Sequence, residues 1–164
     1  MREKKSLVEE LLLPHLDGAY NLARWILGSD ADARVVVEEV YLQASKLTLG
    51  EEDARVQLLT LVRNRAWIRQ HRRHSPATNS AESADRLPPA LSDDERTRDL
   101  HVALSKLPIE FREILLLCEI EGWSYTQLAS ALDLPMTTVT SRLRQARLRL
   151  REEMAEVQRK RLPE

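Results

Sequence analysis

The stretch "LASALDLPMTTVTSRLRQARLRLRE", Leu128–Glu152, holds five arginines in its second half and no acid between Met136 and Arg151. On a helix turning about 100° per residue, Val139, Leu143, Ala146 and Leu150 follow one another at i, i+4, i+7 and i+11 and make one apolar stripe. Thr137, Ser141, Arg144 and Gln145 lie opposite that stripe, with Leu148 further along, and Arg142, Arg147 and Arg149 flank the two faces. One side is therefore a core seam. The other offers hydroxyls, an amide and a guanidinium, groups suited to base edges, with arginines beside them suited to phosphates. A solvated basic face would carry the same charge, so the neighbouring residues decide between the two readings.

Upstream, Ser124-Tyr125-Thr126-Gln127 reads as a capping box, in which Ser124 accepts from the backbone of Gln127 and the Gln127 side chain reaches back. Leu128, Ala129 and Leu132 give this short helix an apolar face, and Asp133-Leu134-Pro135 ends it, because proline disfavours helical geometry in the residue before it. Two short helices joined by a tight turn, the second polar outward, form the helix-turn-helix pattern. The turn lacks the glycine usual there. A further helix, "LPIEFREILLLCEIEGWSY" (Leu107–Tyr125), opens at Pro108. Its stripe is Phe111, Ile114, Leu115 and Cys118, the last read as core packing, and Gly122 is its stop. Leu100, Ala103, Leu104 and Leu107 form one more apolar face. Residues 96–155 thus read as a four-helix domain ending in a DNA-reading helix.

A second basic concentration, "LLTLVRNRAWIRQHRRH" (Leu58–His74), has five arginines and no acid. Leu58, Leu61 and Val62 can face a core, while Arg63, Trp67, Gln70 and His71 stand opposite with Asn64 nearby. Cations interleaved with an exposed aromatic suit a strand whose bases are unstacked; a solvated helix with Trp67 packed on a neighbour is the other reading. Before it, one amphipathic helix carries Leu12, Leu16, Ala19, Tyr20, Ala23 and Leu27 and ends at Gly28-Ser29-Asp30. The next buries Val36, Val37, Val40, Tyr41 and Ala44. These make a helical bundle over residues 5–74.

Between the bundles lies "SPATNSAESADRLPPALSDDE", residues 75–95, rich in Ser, Ala, Pro and acids and poor in groups to bury. It reads as a flexible linker with a reach of up to about 70 Å, at roughly 3.3–3.6 Å per residue. The expected fold class is all-α, two small helical bundles joined by this linker. The composition agrees: 164 residues, 43% hydrophobic, and only four glycines, which disfavours a turn-rich β fold. The single cysteine excludes an internal disulfide. A net charge of −1 does not exclude a nucleic-acid partner, because the charge is segregated along the chain. No signal peptide or membrane-length apolar run is visible. His71 and His74 could share a metal, but no Cys or carboxylate cluster completes a site. No nucleophile–base pair or phosphate loop is present, so neither an enzyme nor a metal or cofactor is expected.

The stretch "LSKLPIEFREILLLCEIEGWSYTQLASALDLPMTTVTSRLRQARLRLRE" resembles region 4 of the extracytoplasmic-function (ECF) sigma factors, small members of the sigma-70 family. The likeness runs through the Leu-Pro opening, the Phe-Arg-Glu helix, Gly-Trp-Ser-Tyr, and Thr-Val-x-Ser-Arg-Leu-x-x-Ala-Arg. "GSDADARVVVEEVYLQA" and "LLTLVRNRA" resemble region 2 of the same family. This resemblance implies a transcription-initiation subunit that binds the clamp and flap of core RNA polymerase, promoter DNA and an anti-sigma factor, in the cytoplasm and without membrane insertion. It implies −35 recognition by Thr137, Thr138, Ser141, Arg142, Arg144, Gln145 and Arg147. It implies −10 recognition and melting by Arg63, Asn64, Trp67, Gln70 and His71, and polymerase docking by Asp32, Val36, Glu39, Val40 and Gln43. The chain departs from the family pattern at several places. Asp32-Ala33-Arg34-Val35 lacks two carboxylates, the loop "KLTLGEED" is short and acidic, Thr140 and Gln145 replace basic residues, and Thr137 replaces a glycine. Two rival readings follow: a sigma-like regulator that captures an anti-sigma factor without initiating transcription, and a plain repressor or activator using only its C-terminal module.

Overall fold

The computed structural model describes residues 10–44, 54–73 and 94–161, and every regular element among them is helical. The loop "KLTLGEED" and most of the stretch read as a linker fall outside the described residues. The chain divides into two compact units, Met1–Arg86 and Leu87–Glu164.

In the N-terminal unit a 3-10 turn at Leu13–His15, placed by Pro14, leads into α1 (Leu16–Leu27), followed by α2 (Asp30–Ala44) and α3 (Ala54–Arg73). Gly28 ends α1 at φ 65°, its N–H donating to Arg24 O at 2.7 Å. That left-handed geometry costs glycine no Cβ clash. Leu12, Leu22, Ile26 and Leu27 meet Val36 and Val40 of α2 and Leu58, Leu59 and Val62 of α3 in the core. Alanines 19, 23, 33, 44, 54 and 66 are buried among them, where small side chains let the helices approach. Each large aliphatic residue buried here contributes about 1.5–3 kcal/mol relative to exposure. Leu59 fills the core position where Leu61 was expected, and Leu61 is only half-buried.

Ion pairs tie α3 to α2. Arg69 Nε and Nη2 donate to Asp32 Oδ1 at 3.0 and 2.9 Å, and Arg65 Nε donates to Glu39 Oε2 at 2.9 Å. Asp32 is itself buried, so the Arg69 fork is what offsets its desolvation.

In the C-terminal unit, α4 (Glu95–Lys106) is capped by Asp94, whose side chain accepts from Thr97 N. It is followed by α5 (Ile109–Leu115), which runs on into a π turn at Leu116–Ile120, then α6 (Tyr125–Leu132) and α7 (Met136–Arg161). All three shorter helices, α4, α5 and α6, pack on α7. Ala103, Leu104, Leu107, Ile114, Leu115, Leu117, Trp123, Leu128, Leu132, Val139, Leu143 and Ala146 fill this core. Arg112 closes the end of α4. Its guanidinium donates to the backbone oxygens of Leu104, Ser105 and Leu107 at 2.9, 2.7 and 3.0 Å, carbonyls that a helix C-terminus leaves without partners.

Three expectations differ from the structure. Leu100 does not join the core and is 40% exposed, and Cys118, read as core packing, is half-buried at the unit's surface. α7 also continues to Arg161, past the expected boundary at 155. Its tail is held by Glu153 to Lys106 at 3.4 Å and by Arg161 to Asp99 at 3.0 Å and to Glu95.

Candidate nucleic-acid interface

The helix-turn-helix rests on two local hydrogen-bond devices. At the start of α6 the capping box is complete: Ser124 N donates to Gln127 Oε1 at 2.8 Å, and Gln127 N donates to Ser124 Oγ at 3.1 Å. At its end, Leu134 N donates to Ala129 O at 3.0 Å and Asp133 N to Ser130 O at 3.4 Å, the paired bonds of a Schellman motif. Asp133 occupies the left-handed position at φ 52°, which answers how the turn forms without glycine. Asp tolerates this geometry better than most residues. Replacing it tests the account: Asp133→Gly should hold or raise the thermal midpoint of the C-terminal unit. Asp133→Val should cost about 1–2 kcal/mol, and equal midpoints for the two variants would show that the turn does not depend on this residue. Pro135 then starts α7, its oxygen accepting from Thr138 N and Val139 N at 2.9 and 3.0 Å.

On α7 the buried residues Val139, Leu143 and Ala146 fix the inward side. Thr137, Ser141, Arg144 and Gln145 are exposed on the opposite side with Leu148, as the spacing predicts. Thr138 and Arg142 are half-buried at the edge of that face. Ser141 Oγ donates to Thr138 O at a long 3.3 Å, a weak bond that a better acceptor can displace. The flanking arginines differ from one another. Arg147 is exposed but engaged, its Nε and Nη2 donating to Glu119 Oε1 at 2.9 and 2.6 Å, and Arg149 lies over the Phe111 ring at 5.1 Å. Both anchor α7 to the π turn or to α5, a use that the helical wheel does not reveal.

In the N-terminal unit, α3 carries a column of stacked groups. The Arg63 guanidinium lies 5.5 Å from the Trp67 ring, and the Trp67 and His71 rings are 5.1 Å apart at 33°. His71 Nδ1 is 2.9 Å from Trp67 O, which fixes the imidazole against the helix. Asn64 is exposed beside the column, its Oδ1 accepting from Arg63 at 3.1 Å, and Gln70 is half-buried. The structure therefore brings all five residues named for −10 recognition onto one side of α3. Two of the other arginines, Arg65 and Arg69, are spent on α2.

The residues named for polymerase docking divide. Asp32, Val36 and Val40 point inward against α1 and α3, where they offer no surface to a partner; only Glu39 and Gln43 are exposed. The i, i+4, i+8 spacing of 32, 36 and 40 is the core stripe of the helix, and a stripe that fills the core cannot also dock. The outward face is Arg34, Val35, Glu38 and Leu42, with Val35 39% and Leu42 55% exposed. Val35 and Leu42 stand one heptad apart on that face.

Among the described residues no cluster of three His, Cys, Asp or Glu could hold a metal ion, and no helix is long and apolar enough to cross a membrane. A family model for sigma-70, region 4 matches residues 97–150, from α4 into α7. That match lies within the C-terminal unit and reaches all of its shorter helices. The similarity extends beyond that region: the chain is 29% identical over 158 residues to the ECF RNA polymerase sigma factor SigE of Mycolicibacterium smegmatis, covering 90% of this chain. The chain spans 61% of that relative's length. The fold matches that of the sigma factor RpoE of Bartonella quintana, solved in complex with the anti-sigma factor NepR. The TM-score is 0.74 at 23% identity, over 90% of this chain and 96% of the other. The resemblance to ECF sigma factors read from the sequence, and the all-α fold with its helix-turn-helix, are thus borne out.

Proposed function

We propose that this chain is an RNA polymerase sigma factor of the ECF type, a DNA-binding initiation subunit without catalytic activity of its own that works in the cytoplasm. The observation that carries the reading is the face of α7. A region 4 helix-turn-helix with intact capping presents Thr137, Ser141, Arg144 and Gln145 outward, beside a core stripe that holds the helix still. The Arg63–Trp67–His71 column adds a surface of the kind that stacks on unpaired bases. On this reading the partners are core RNA polymerase, promoter DNA and an anti-sigma factor. The polymerase-facing part of α2 is its outer face, Arg34, Val35, Glu38 and Leu42, with Glu39 and Gln43 at its margin.

Run-off transcription with core polymerase on genomic fragments tests the proposal. New transcripts that require this protein support it. Polymerase binding without transcripts favours the regulator that only captures an anti-sigma factor, and DNA binding without polymerase favours the plain repressor. A base-level test follows from donor geometry. Arg144 can make a bidentate contact to guanine and Gln145 one to adenine, so alanine at either should cost about 1–3 kcal/mol on the matched sequence only. Titration against a panel of −35 variants would show this as relaxed preference at one position for each substitution. Equal losses on every sequence would leave α7 a charged surface without base readout.

A further inference from the structure

Arg147 stands at the edge of the DNA-reading face of α7, where a phosphate contact would be expected, yet its donors are turned back into the protein. Two of its N–H groups converge on Glu119 Oε1, and Nη2 lies 3.9 Å from Cys118 Sγ. Glu119 and Cys118 belong to the π turn after α5. One guanidinium therefore joins α7 to the segment that leads into the helix-turn-helix. The π turn is what delivers Glu119: Glu121 N donates to Leu116 O and Trp123 N to Leu117 O, both at 3.0 Å, so the chain end there is closed by backbone bonds of its own.

We propose that Arg147 is a positioning residue for DNA recognition, which with Glu119 sets the rotation of α7 and thereby the reach of Arg144 and Gln145 to base edges. The inference rests on the reading of α7 as the DNA-reading helix. It explains why an exposed pair, which adds little to stability, is built across these elements. A side-chain tip on a helix stands roughly 5–6 Å from its axis, so a rotation of about 15° moves it by more than 1 Å. Hydrogen bonds tolerate about 0.5 Å, and bidentate contacts are lost first. The carboxylate of Glu119 beside the guanidinium also cancels most of the charge a phosphate would feel.

The test uses the full chain with two short duplexes, one enriched from a random pool by the native protein and one with that sequence scrambled. Glu119→Gln removes a negative charge, so charge alone predicts tighter binding to both duplexes. Positioning predicts the opposite on the enriched duplex: about tenfold weaker binding, toward the lower end of what losing one bidentate contact costs. Binding of this variant to the scrambled duplex should be no weaker than that of the native protein. Arg147→Gln should behave the same way, the double variant should be no worse than either single one, and the exchanged pair Glu119→Arg with Arg147→Glu should recover most of the loss. Circular dichroism of each variant confirms the helical fold. The proposal is overturned if Arg147→Gln weakens both duplexes equally with the slope reduced by about one while Glu119→Gln tightens them. A native chain that enriches no sequence removes the DNA-reading role itself, and this proposal with it.

Discussion

Leu143→Ala should remove about 2–5 kcal/mol from the C-terminal unit and, on the role proposed above, abolish −35 binding while the N-terminal unit stays folded. Leu143 is 1% exposed, on the buried stripe of α7 between Val139 and Ala146. Because α4, α5 and α6 all pack on α7, a cavity at this point loosens every contact that orients the reading helix. A unit of this size has about 4–12 kcal/mol in hand, on the order of 0.05–0.15 per residue, so the loss is a large part of its stability. The two units have separate cores, so the damage should stay within the C-terminal one. Hydrogen exchange resolved by segment checks this: protection should collapse over 94–161 and persist over 10–44 and 54–73. Equal loss in both segments would mean that the units fold as one.

What could be read from the sequence followed the apolar stripes. Val139, Leu143 and Ala146, and Leu12, Ala19, Ala23 and Leu27, lie where a period of 3.6 puts them, and the Ser124–Gln127 box is a signature local enough to need no tertiary context. The parts that escaped depend on partners distant in sequence. The end of α7 lost its stripe after Leu150, and the helix persists to Arg161 because Lys106, Asp99 and Glu95 hold it from another helix. Arg147 and Arg149 look like DNA cations on a wheel; only the fold puts Glu119 and Phe111 against them. Asp133 in a left-handed turn was hidden because the pattern expected glycine. The burial of three of the residues named for docking has a different origin: Asp32, Val36 and Val40 lie on the stripe that the same periodicity assigns to the core.

On the proposed initiation role, Trp67→Ala combined with Arg63→Ala should impair promoter opening strongly while leaving polymerase binding nearly as it is. The indole is held between the Arg63 guanidinium and the His71 imidazole, so its orientation is set before any strand arrives. Preorganised stacking contributes about 1–3 kcal/mol per base, which corresponds to roughly 5- to 150-fold in the open-complex equilibrium. The proposed polymerase face is on α2, whose packing on α3 depends on Val62, Ala66 and the Arg65 and Arg69 ion pairs rather than on Trp67. Permanganate reactivity of −10 thymines measures opening, and co-elution with core polymerase measures binding. Trp67→Phe keeps an aromatic face and should retain most of the reactivity, which separates stacking from a general loss of α3. Arg65→Ala, which loosens the frame without touching the column, should change opening much less than Trp67→Ala. If thymine reactivity survives the double substitution unchanged, the column is a surface ornament of α3 and strand capture must be sought on another face of the N-terminal unit.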